Sequence, residues 1–145
     1  MLSRVRFALV TGTCRGLGAA LASALVERGW RVVGCARGAA PGALDELAGY
    51  AHVPVDLADR ASVRAAFDAS RAEFAPLATA ERAALVHNAA VVATAPFAAL
   101  DLDATVDAVT LDLAVPLWLT GWCLRTAPRE ADERAVAIPR RAVTP

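Results

Sequence analysis

A doubly wound α/β fold, with a parallel sheet covered by helices on both faces, is the fold class that this sequence predicts. Short apolar segments rich in β-branched residues alternate with segments of helical periodicity along the 145 residues. The short segments are apolar at consecutive positions, which is typical of parallel strands buried on both sides. A glycine-rich turn follows the first of them directly and indicates that a strand passes into a helix there.

The first three elements are a strand, a helix and a second strand. Residues 5–11 predict the first strand, and residues 12–18 form the glycine-rich turn. Gly29 stands where the following helix would end. That helix is predicted from apolar residues at helical spacing, which are Leu17, Ala20, Leu21, Ala24 and Leu25. Residues 31–36 predict the second strand.

The next elements continue this alternation. Residues 41–42, a Pro-Gly pair, predict a loop, and residues 51–55 predict a third strand that ends at Asp56. Asp59 can cap a helix that runs to about residue 74. One side of this helix carries Val63, Ala66, Phe67 and Ser70. Residues 83–87 predict the fourth strand.

Helical periodicity then extends from residue 102 to residue 126. Pro116 lacks the amide hydrogen that a helix interior needs, so we expect a bend or a break there. One buried face is predicted from Leu113, Leu117 and Leu124. Two tryptophans four residues apart, Trp118 and Trp122, predict packing in a core or a subunit contact.

The last predicted element is a fifth strand over residues 134–138. Pro139, two arginines and Pro145 then follow without a further helical pattern. We therefore expect one incomplete domain over residues 1–138, truncated after about five strands, and an irregular tail over residues 139–145.

Charge and composition argue against two classes of partner. Lys plus Arg equals Asp plus Glu at 15 each, so the chain has no surplus of positive charge to bind nucleic acid or an anionic membrane. Residues 83–100 carry no charge, but they include His87, Asn88 and Pro96. A buried strand that runs into a loop explains them better than a membrane helix.

The cysteines indicate the compartment. Cys14, Cys35 and Cys123 are odd in number and have no Cys-x-x-Cys spacing, so we expect neither a disulfide framework nor a zinc ribbon. They have no ligand spacing with His52 and His87 either, and we expect no metal site. With no segment that resembles a targeting signal, a cytoplasmic location is the expectation.

The glycine-rich turn reads Thr-Gly-Thr-Cys-Arg-Gly-Leu-Gly over residues 11–18. Glycines let the backbone approach a pyrophosphate, which then meets the free amides and the positive dipole at the helix start. A Walker-type phosphate loop needs a lysine, and the sequence contains none. The segment therefore predicts a dinucleotide site of Rossmann type, with the candidate binding residues Gly12, Cys14, Arg15, Gly16, Leu17 and Gly18.

The spacing Thr-Gly-x-x-x-Gly-x-Gly resembles that of the short-chain dehydrogenase/reductase family. Val-Asp-Leu at residues 55–57 matches the place where this family carries an Asp that contacts adenine, and His-Asn-Ala-Ala at residues 87–90 corresponds to its Asn-Asn-Ala-Gly. The resemblance covers essentially the whole chain, and residues 15–18 and 33–37 are similar to sepiapterin or benzil reductase-like members. It implies a nicotinamide dinucleotide cofactor, with further binding residues Asp56, Leu57, Asn88, Ala89 and Ala90.

The choice between NADP and NAD follows from charge. An acidic residue at the end of the second strand would bind a ribose 2′-hydroxyl, whereas an arginine accommodates a 2′-phosphate. Arg37 occupies that region, and Arg15 lies in the glycine-rich turn. Since guanidinium groups can fork onto a phosphate, we expect NADP over NAD; the alternative is that both arginines are solvated surface residues.

The resemblance also implies a catalytic set that this sequence lacks. Family members orient a carbonyl with a serine and protonate it with a tyrosine that precedes a lysine by four residues. The only tyrosine here is Tyr50, and no lysine is present, so the Tyr-x-x-x-Lys pair cannot form. A fourth catalytic position, an asparagine, corresponds to Asp112, and a carboxylate can only accept where an amide also donates.

Three functional interpretations remain open. In the first, the chain is by descent an NADPH-dependent carbonyl oxidoreductase that binds NADP but turns nothing over alone. In the second, it is a non-catalytic NADP-binding or interaction protein that forms a homo-oligomer or pairs with a full-length relative. In the third, it is a non-functional truncated fragment. Separately, we expect that the tail after Ile138 arises from a frameshift or an early stop.

Overall fold

The sheet has four parallel strands in the order β3-β2-β1-β4. The computed structural model describes residues 5–91 and 95–128. The strands are β1 (Arg6–Thr11), β2 (Arg31–Ala36), β3 (Tyr50–Pro54) and β4 (Arg82–Val86). The parallel sheet is therefore confirmed, with each strand within one residue of its predicted limits. The fifth strand, the domain limit at residue 138 and the tail lie outside the described residues.

Helices connect and cover these strands. They are α1 (Gly16–Glu27), α2 (Gly42–Asp45), α3 (Arg60–Ala69), α4 (Arg71–Phe74), α5 (Leu102–Val109) and α6 (Val115–Thr126). Ala75–Thr79 and Phe97–Ala99 form 3₁₀ turns, and Thr110–Ala114 forms a π-helical turn that joins α5 to α6. In the described ranges, no helix is long and apolar enough to cross a membrane.

Two helix predictions need correction. The Pro-Gly loop at residues 41–42 in fact starts α2, because the Pro41 carbonyl accepts from the amides of Leu44 and Asp45. The helix expected to reach residue 74 breaks at Ser70, whose φ of −102° and ψ of 32° leave the helical range. Its start was predicted correctly, since Asp59 Oδ1 accepts from the Ala61 amide at 2.8 Å.

The core lies on both faces of the sheet, as the continuous apolar strands predicted. Phe7 and Leu9 of β1 pack on one face in a cluster with residues of α3 and α6. Ala8 and Val10 alternate with them and pack on the other face beside α1. All four are buried, so β1 is the central apolar element between two helical layers.

The predicted buried face of the last helix was wrong. Leu113, Leu117 and Leu124 are exposed, whereas Val115 and Leu119 are buried. The π turn closes hydrogen bonds one residue wider than an α-helix and rotates the residues after it. Because the segment is apolar on both sides, leucine spacing alone did not reveal which side meets the sheet.

The tryptophan prediction is confirmed as packing. The ring of Trp122 lies edge-on to Phe67 and Phe74, at centroid distances of 5.0 and 5.1 Å. Trp118 contacts Phe67 at 5.3 Å in the same way. These edge-to-face contacts pack α6 against α3 and α4.

Candidate functional site

A cleft of about 480 Å³ opens at the carboxyl ends of the strands. It lies where the strand order reverses between β1 and β4, which is the place where doubly wound sheets bind ligands. It contains every predicted cofactor-binding residue except Leu17 and Gly18. The lining residues are Gly12, Cys14, Arg15, Gly16, Arg37, Val55, Asp56, Leu57, Ala58, Asn88, Ala89, Ala90, Val91, Asp107 and Leu111.

The two predicted residues outside the lining have different surroundings. Leu17 is exposed to solvent. Gly18 is buried directly beneath the Gly12 carbonyl, and a Cβ at this position would overlap that carbonyl. Gly18 thus allows α1 to approach the turn closely, which is a packing function within the motif.

Partly buried hydrogen bonds hold the glycine-rich turn against the loop after β4. Thr11 Oγ1 accepts from the amides of Asn88 and Ala89, both at 3.0 Å. The Asn88 side chain returns two bonds, because its Nδ2 donates to the carbonyls of Thr11 and Gly12 at 3.1 Å each. Thr11 was not among the predicted site residues, although it precedes the first glycine. These bonds join the two segments that form the floor of the cleft.

The start of α1 faces this floor as an anion-binding terminus. The residue before the helix, Arg15, is extended, no side chain caps the first turn, and no acidic residue lies within it. Its first amides therefore keep their donors for a ligand, and the helix dipole adds positive charge there. Arg15 also lines the cleft. This combination fits a pyrophosphate.

Arg37, which follows β2, and Asp56, which follows β3, both line the cleft. Arg37 Nη1 lies 3.9 Å from Asp56 Oδ2, and the two side chains are 76% and 43% exposed. Asp56 is oriented by its own turn, since its Oδ1 accepts from the Ala58 amide at 2.9 Å and its amide donates to Ser62 Oγ at 3.1 Å. An ion pair with this distance and exposure has a weak attraction. The Arg37 guanidinium is therefore available to bind a phosphate.

The helical side of the cleft was only partly predicted. Asp107 of α5 and Leu111 of the π turn line it, although the sequence argument did not select either. Their spacing of four residues on one helix is the signal that could have found them. Asp112 lies outside the lining and is exposed, and its Oδ1 accepts from the Val91 amide at 3.0 Å. It thus ties the π turn to the loop after β4, and a catalytic role for it stays a prediction.

His87, the first residue of His-Asn-Ala-Ala, points away from the lining. Its Nε2 lies 3.1 Å from Thr120 Oγ1, which donates its own hydrogen to the Pro116 carbonyl at 2.8 Å. His87 Nε2 must therefore donate, and the imidazole is the Nε2-H tautomer. Its Nδ1 is buried and has no partner within the described part of the chain. Burial lowers the pKa of His87, so the ring is neutral at pH 7.

Two of the three cysteines have strongly raised pKa values. Burial raises the pKa of Cys35 to about 12 and that of Cys123 to about 12, so both remain thiols at neutral pH. Cys14 differs because it lines the cleft and is partly exposed. Across residues 5–91 and 95–128, no three His, Cys, Asp or Glu side chains are grouped to hold a metal ion.

Tyr50, the single tyrosine, lies outside the cleft lining. It begins β3 and packs with the cluster on the α1 side of the sheet. Its hydroxyl is 3.0 Å from Thr13 Oγ1 and 3.1 Å from His52 Nδ1. Burial is the main cause that raises the pKa of Tyr50, so its hydroxyl keeps its proton at neutral pH.

Curated relatives and solved structures resemble this chain over different lengths. A stretch of 45 residues is 58% identical to "Dehydrogenase/reductase SDR family member 11" of Bos taurus, which covers 31% of this chain and 17% of that protein. The structure of a short-chain dehydrogenase/reductase from Burkholderia vietnamiensis is 30% identical with a TM-score of 0.75 and covers 90% of this chain. The chain spans 61% of that structure's length.

A second solved structure shares the fold at lower identity. The NADPH-bound carbonyl reductase from chicken fatty liver is 23% identical with a TM-score of 0.66, over 85% of this chain and 52% of its own. The family profile described as short chain dehydrogenase matches residues 6–138, which is most of the sequence. The chain therefore belongs to the short-chain dehydrogenase family.

Proposed function

We propose that this chain binds NADP in the cleft and is by descent an NADPH-dependent carbonyl oxidoreductase that does not turn over alone. One observation carries the proposal. The uncapped start of α1, Arg15 and Arg37 all face one cleft, whose floor is fixed by the bonds between Thr11 and Asn88. Short-chain dehydrogenases bind nicotinamide cofactors, and a dinucleotide carries anionic groups that match these donors.

Each part of the cofactor has a counterpart among the lining residues. The pyrophosphate would meet the first amides of α1, and the adenine would lie near Asp56 and Leu57. A 2′-phosphate would be held by Arg37, for which the exposed carboxylate of Asp56 is only a distant partner. Asp56 repels a phosphate, so the preference for NADP depends on the guanidinium outweighing that carboxylate.

Turnover needs more than binding. A bound nicotinamide would supply the hydride, but a carbonyl oxygen must also receive a proton. The sequence has no lysine, and Tyr50 is held in β3 by Thr13 and His52. The family's proton donor therefore has no equivalent in these 145 residues, which supports an inactive chain.

A direct titration of the purified chain with NADPH and NADH tests this proposal. We expect NADPH to bind at least roughly tenfold more tightly than NADH, because two charge-assisted bonds to a 2′-phosphate are worth that much. We also expect no NADPH oxidation when aldehydes or ketones are added. Equal affinities would overturn the choice of NADP, and binding of neither nucleotide would favour the non-functional fragment.

A second function, as an interaction protein, is supported by an exposed apolar stripe along α5 and α6. The stripe comprises Leu102, Val106, Val109, Leu113, Leu117 and Leu124. Large exposed apolar surfaces of this kind mark protein contacts. Residues 102–126 would extend over about 37 Å, which gives two such helices a long common interface.

We propose a second copy of this chain as the occupant of the stripe. Asp103 lies at the beginning of α5 and Arg125 at the end of α6, so an antiparallel pair would bring opposite charges together at both ends. In an antiparallel pair the helix dipoles would also point in opposite directions, which is favourable. A full-length relative that carries a similar stripe is the alternative partner.

Analytical ultracentrifugation over a range of concentrations tests the second copy. We expect the wild type to dimerise and Leu113→Glu to be monomeric, because the variant buries an unpaired charge in the interface. Ala65→Glu on the exposed side of α3 adds the same charge elsewhere and should leave the dimer intact. A wild type that stays monomeric, or that associates only with a longer relative, would contradict self-pairing.

We also propose a cytoplasmic location. The three cysteines are all free thiols in the described residues, which supports a reducing compartment. Thiol labelling of the protein isolated from cells under non-reducing conditions would test this, since an oxidised pair would contradict it.

A further inference from the structure

A chain of hydrogen bonds connects the two turns that carry Arg15 and Arg37. Thr13, which is fully buried beneath the glycine-rich turn, lies 3.0 Å from Tyr50 Oη. Tyr50 Oη lies 3.1 Å from His52 Nδ1, and His52 Nε2 lies 3.0 Å from the Gly38 carbonyl. Gly38 is the residue next to Arg37. The chain thus runs from the turn after β1, through β3, to the turn after β2.

The connection crosses β2 at a residue that has no side chain. Gly34 pairs with His52 in the sheet, and the Tyr50 ring lies over it. A Cβ at Gly34 would overlap Tyr50 Oη and approach Thr13 Oγ1 to 2.5 Å. Only glycine at this strand position lets the phenol reach Thr13. The tyrosine, the threonine and the glycine therefore form one interdependent arrangement.

The Gly38 end of this series of hydrogen bonds determines which groups donate. A carbonyl can only accept, so His52 Nε2 carries the hydrogen that is donated to Gly38. In the neutral ring, Nδ1 is then an acceptor, and the Tyr50 hydroxyl donates to it. Thr13 Oγ1 is the second partner of the Tyr50 hydroxyl, so every member of this hydrogen-bond chain has a partner.

The two turns also lie close together. A Cβ added at Gly38 would come within 3.4 Å of the Cys14 Cβ, so little space separates the turns. The backbone that carries Arg37 thus lies beside the glycine-rich turn and is bonded to His52. A shift of Gly38 would move the Arg37 guanidinium relative to the pyrophosphate site.

We propose that His52 and Tyr50 are positioning residues that set the preference for NADPH over NADH by holding the Arg37 turn in register with the glycine-rich turn. This inference rests on the proposed function. His52 acts only at the Arg37 end, which a 2′-phosphate alone would contact. Tyr50 acts at both ends, since it also holds Thr13 beneath the pyrophosphate site.

The two variants therefore differ in their expected effects on the full chain. His52→Ala should weaken NADPH binding by roughly five- to tenfold and NADH binding by less than about twofold, since one hydrogen bond is lost at the 2′-phosphate end. Tyr50→Phe should weaken both nucleotides, NADPH more than NADH. Thr126→Val removes a hydrogen bond to the Trp122 carbonyl on α6, away from the cleft, and should leave both affinities unchanged.

Hydrogen–deuterium exchange of the nucleotide-free chain gives a readout that does not depend on binding. His52→Ala should speed exchange in residues 37–40 while leaving β1 protected, and Tyr50→Phe should speed it in residues 12–16 as well. An unchanged ratio of NADPH to NADH affinity in His52→Ala, with wild-type preference intact, would overturn the inference. If the wild type binds neither nucleotide, the proposed function fails, and unchanged exchange in residues 37–40 would then overturn the positioning function separately.

Discussion

The floor of the cleft and its helical side are built in different ways. The floor consists of backbone turns held by partly buried bonds, with Thr11 and Asn88 each bonded to the opposite loop. The helical side consists of α5 and the π turn, which present Asp107 and Leu111 to the cleft and an apolar stripe to solvent. The floor presents amides and arginines that suit an anionic ligand, whereas the helical side presents one carboxylate and one apolar side chain to the cleft.

This difference teaches that the two sides of the cleft depend on different parts of the fold. The bonds of the floor join residues 11 and 12 after β1 to residues 88 and 89 after β4. The helical side lines the site with Asp107 and Leu111, and Asp112 Oδ1 accepts from the exposed Val91 amide. Changes in the floor should therefore alter stability and affinity together, and changes on the helical side should alter neither strongly.

Thr11→Val should have the largest effect. Valine matches the shape of threonine but leaves the amides of Asn88 and Ala89 without their acceptor in a buried place. We expect the free energy of unfolding to fall by about 3 kcal/mol and NADPH affinity to fall with it. Denaturation by urea, followed by circular dichroism, measures the first quantity.

Thr79→Val is the matched control for that experiment. Its hydroxyl makes one long bond of 3.5 Å to the Pro76 carbonyl at the surface, so a change of less than about 0.5 kcal/mol is expected. Equal losses of unfolding free energy in the two variants would show that the Thr11 bonds stabilise the fold no more than a surface bond. That result would contradict the comparison.

Arg37→Ala should have the next largest effect, and only on one ligand. The guanidinium is 76% exposed and held by one distant carboxylate, so folding should be almost unaffected. NADPH affinity should fall by roughly 30-fold while NADH affinity stays within about twofold, because the lost group contacts only a 2′-phosphate. Calorimetric titration measures both, with Arg60→Ala on α3 as the control. Parallel losses for NADPH and NADH would remove Arg37 as the selector.

Local patterns predicted the fold better than they predicted which residues meet. The strands were found because apolar, β-branched segments and their turns are consecutive in the sequence, as in residues 31–36 and β2. Most of the cleft lining was found in the same way, since Gly12, Asp56 and Asn88 each follow a strand end. The family resemblance supplied their expected tasks, and the geometry of the cleft is consistent with them.

Contacts between distant segments were beyond the reach of the sequence. Asp107 and Leu111 line the cleft from α5 and the π turn, and the helix that follows them is packed by Trp122 against Phe67 and Phe74. Tyr50 meets Thr13 across 37 positions of sequence and over a glycine of a third segment. No periodicity reports such a meeting, because it depends on how the strands align in the sheet.

A smaller effect is expected in the reactivity of the thiols, which compares the accessibility of the cleft with that of the core. The pKa values of about 12 for Cys35 and Cys123 leave almost no thiolate at pH 8, whereas Cys14 lies in the cleft lining. Iodoacetamide at pH 8 should therefore modify Cys14 first, and NADPH should slow that reaction. Peptide mass spectrometry identifies the residue. Faster modification of Cys123 than of Cys14 would show that α6 opens more readily than the cleft.

The smallest expected effect is the pH dependence of stability that arises from His87. Because burial lowers the pKa of this ring in the folded chain, the unfolded chain binds its proton more tightly. Its contribution to stability is present above the unfolded pKa, about 6.5 for an ordinary histidine, and is lost as the pH falls below that value. The melting temperature should therefore decline between pH 7.5 and about 5.5, and less steeply in His87→Asn, whose amide has no charge to gain. If the melting temperature declined identically in both proteins, groups other than His87 would cause the acid sensitivity.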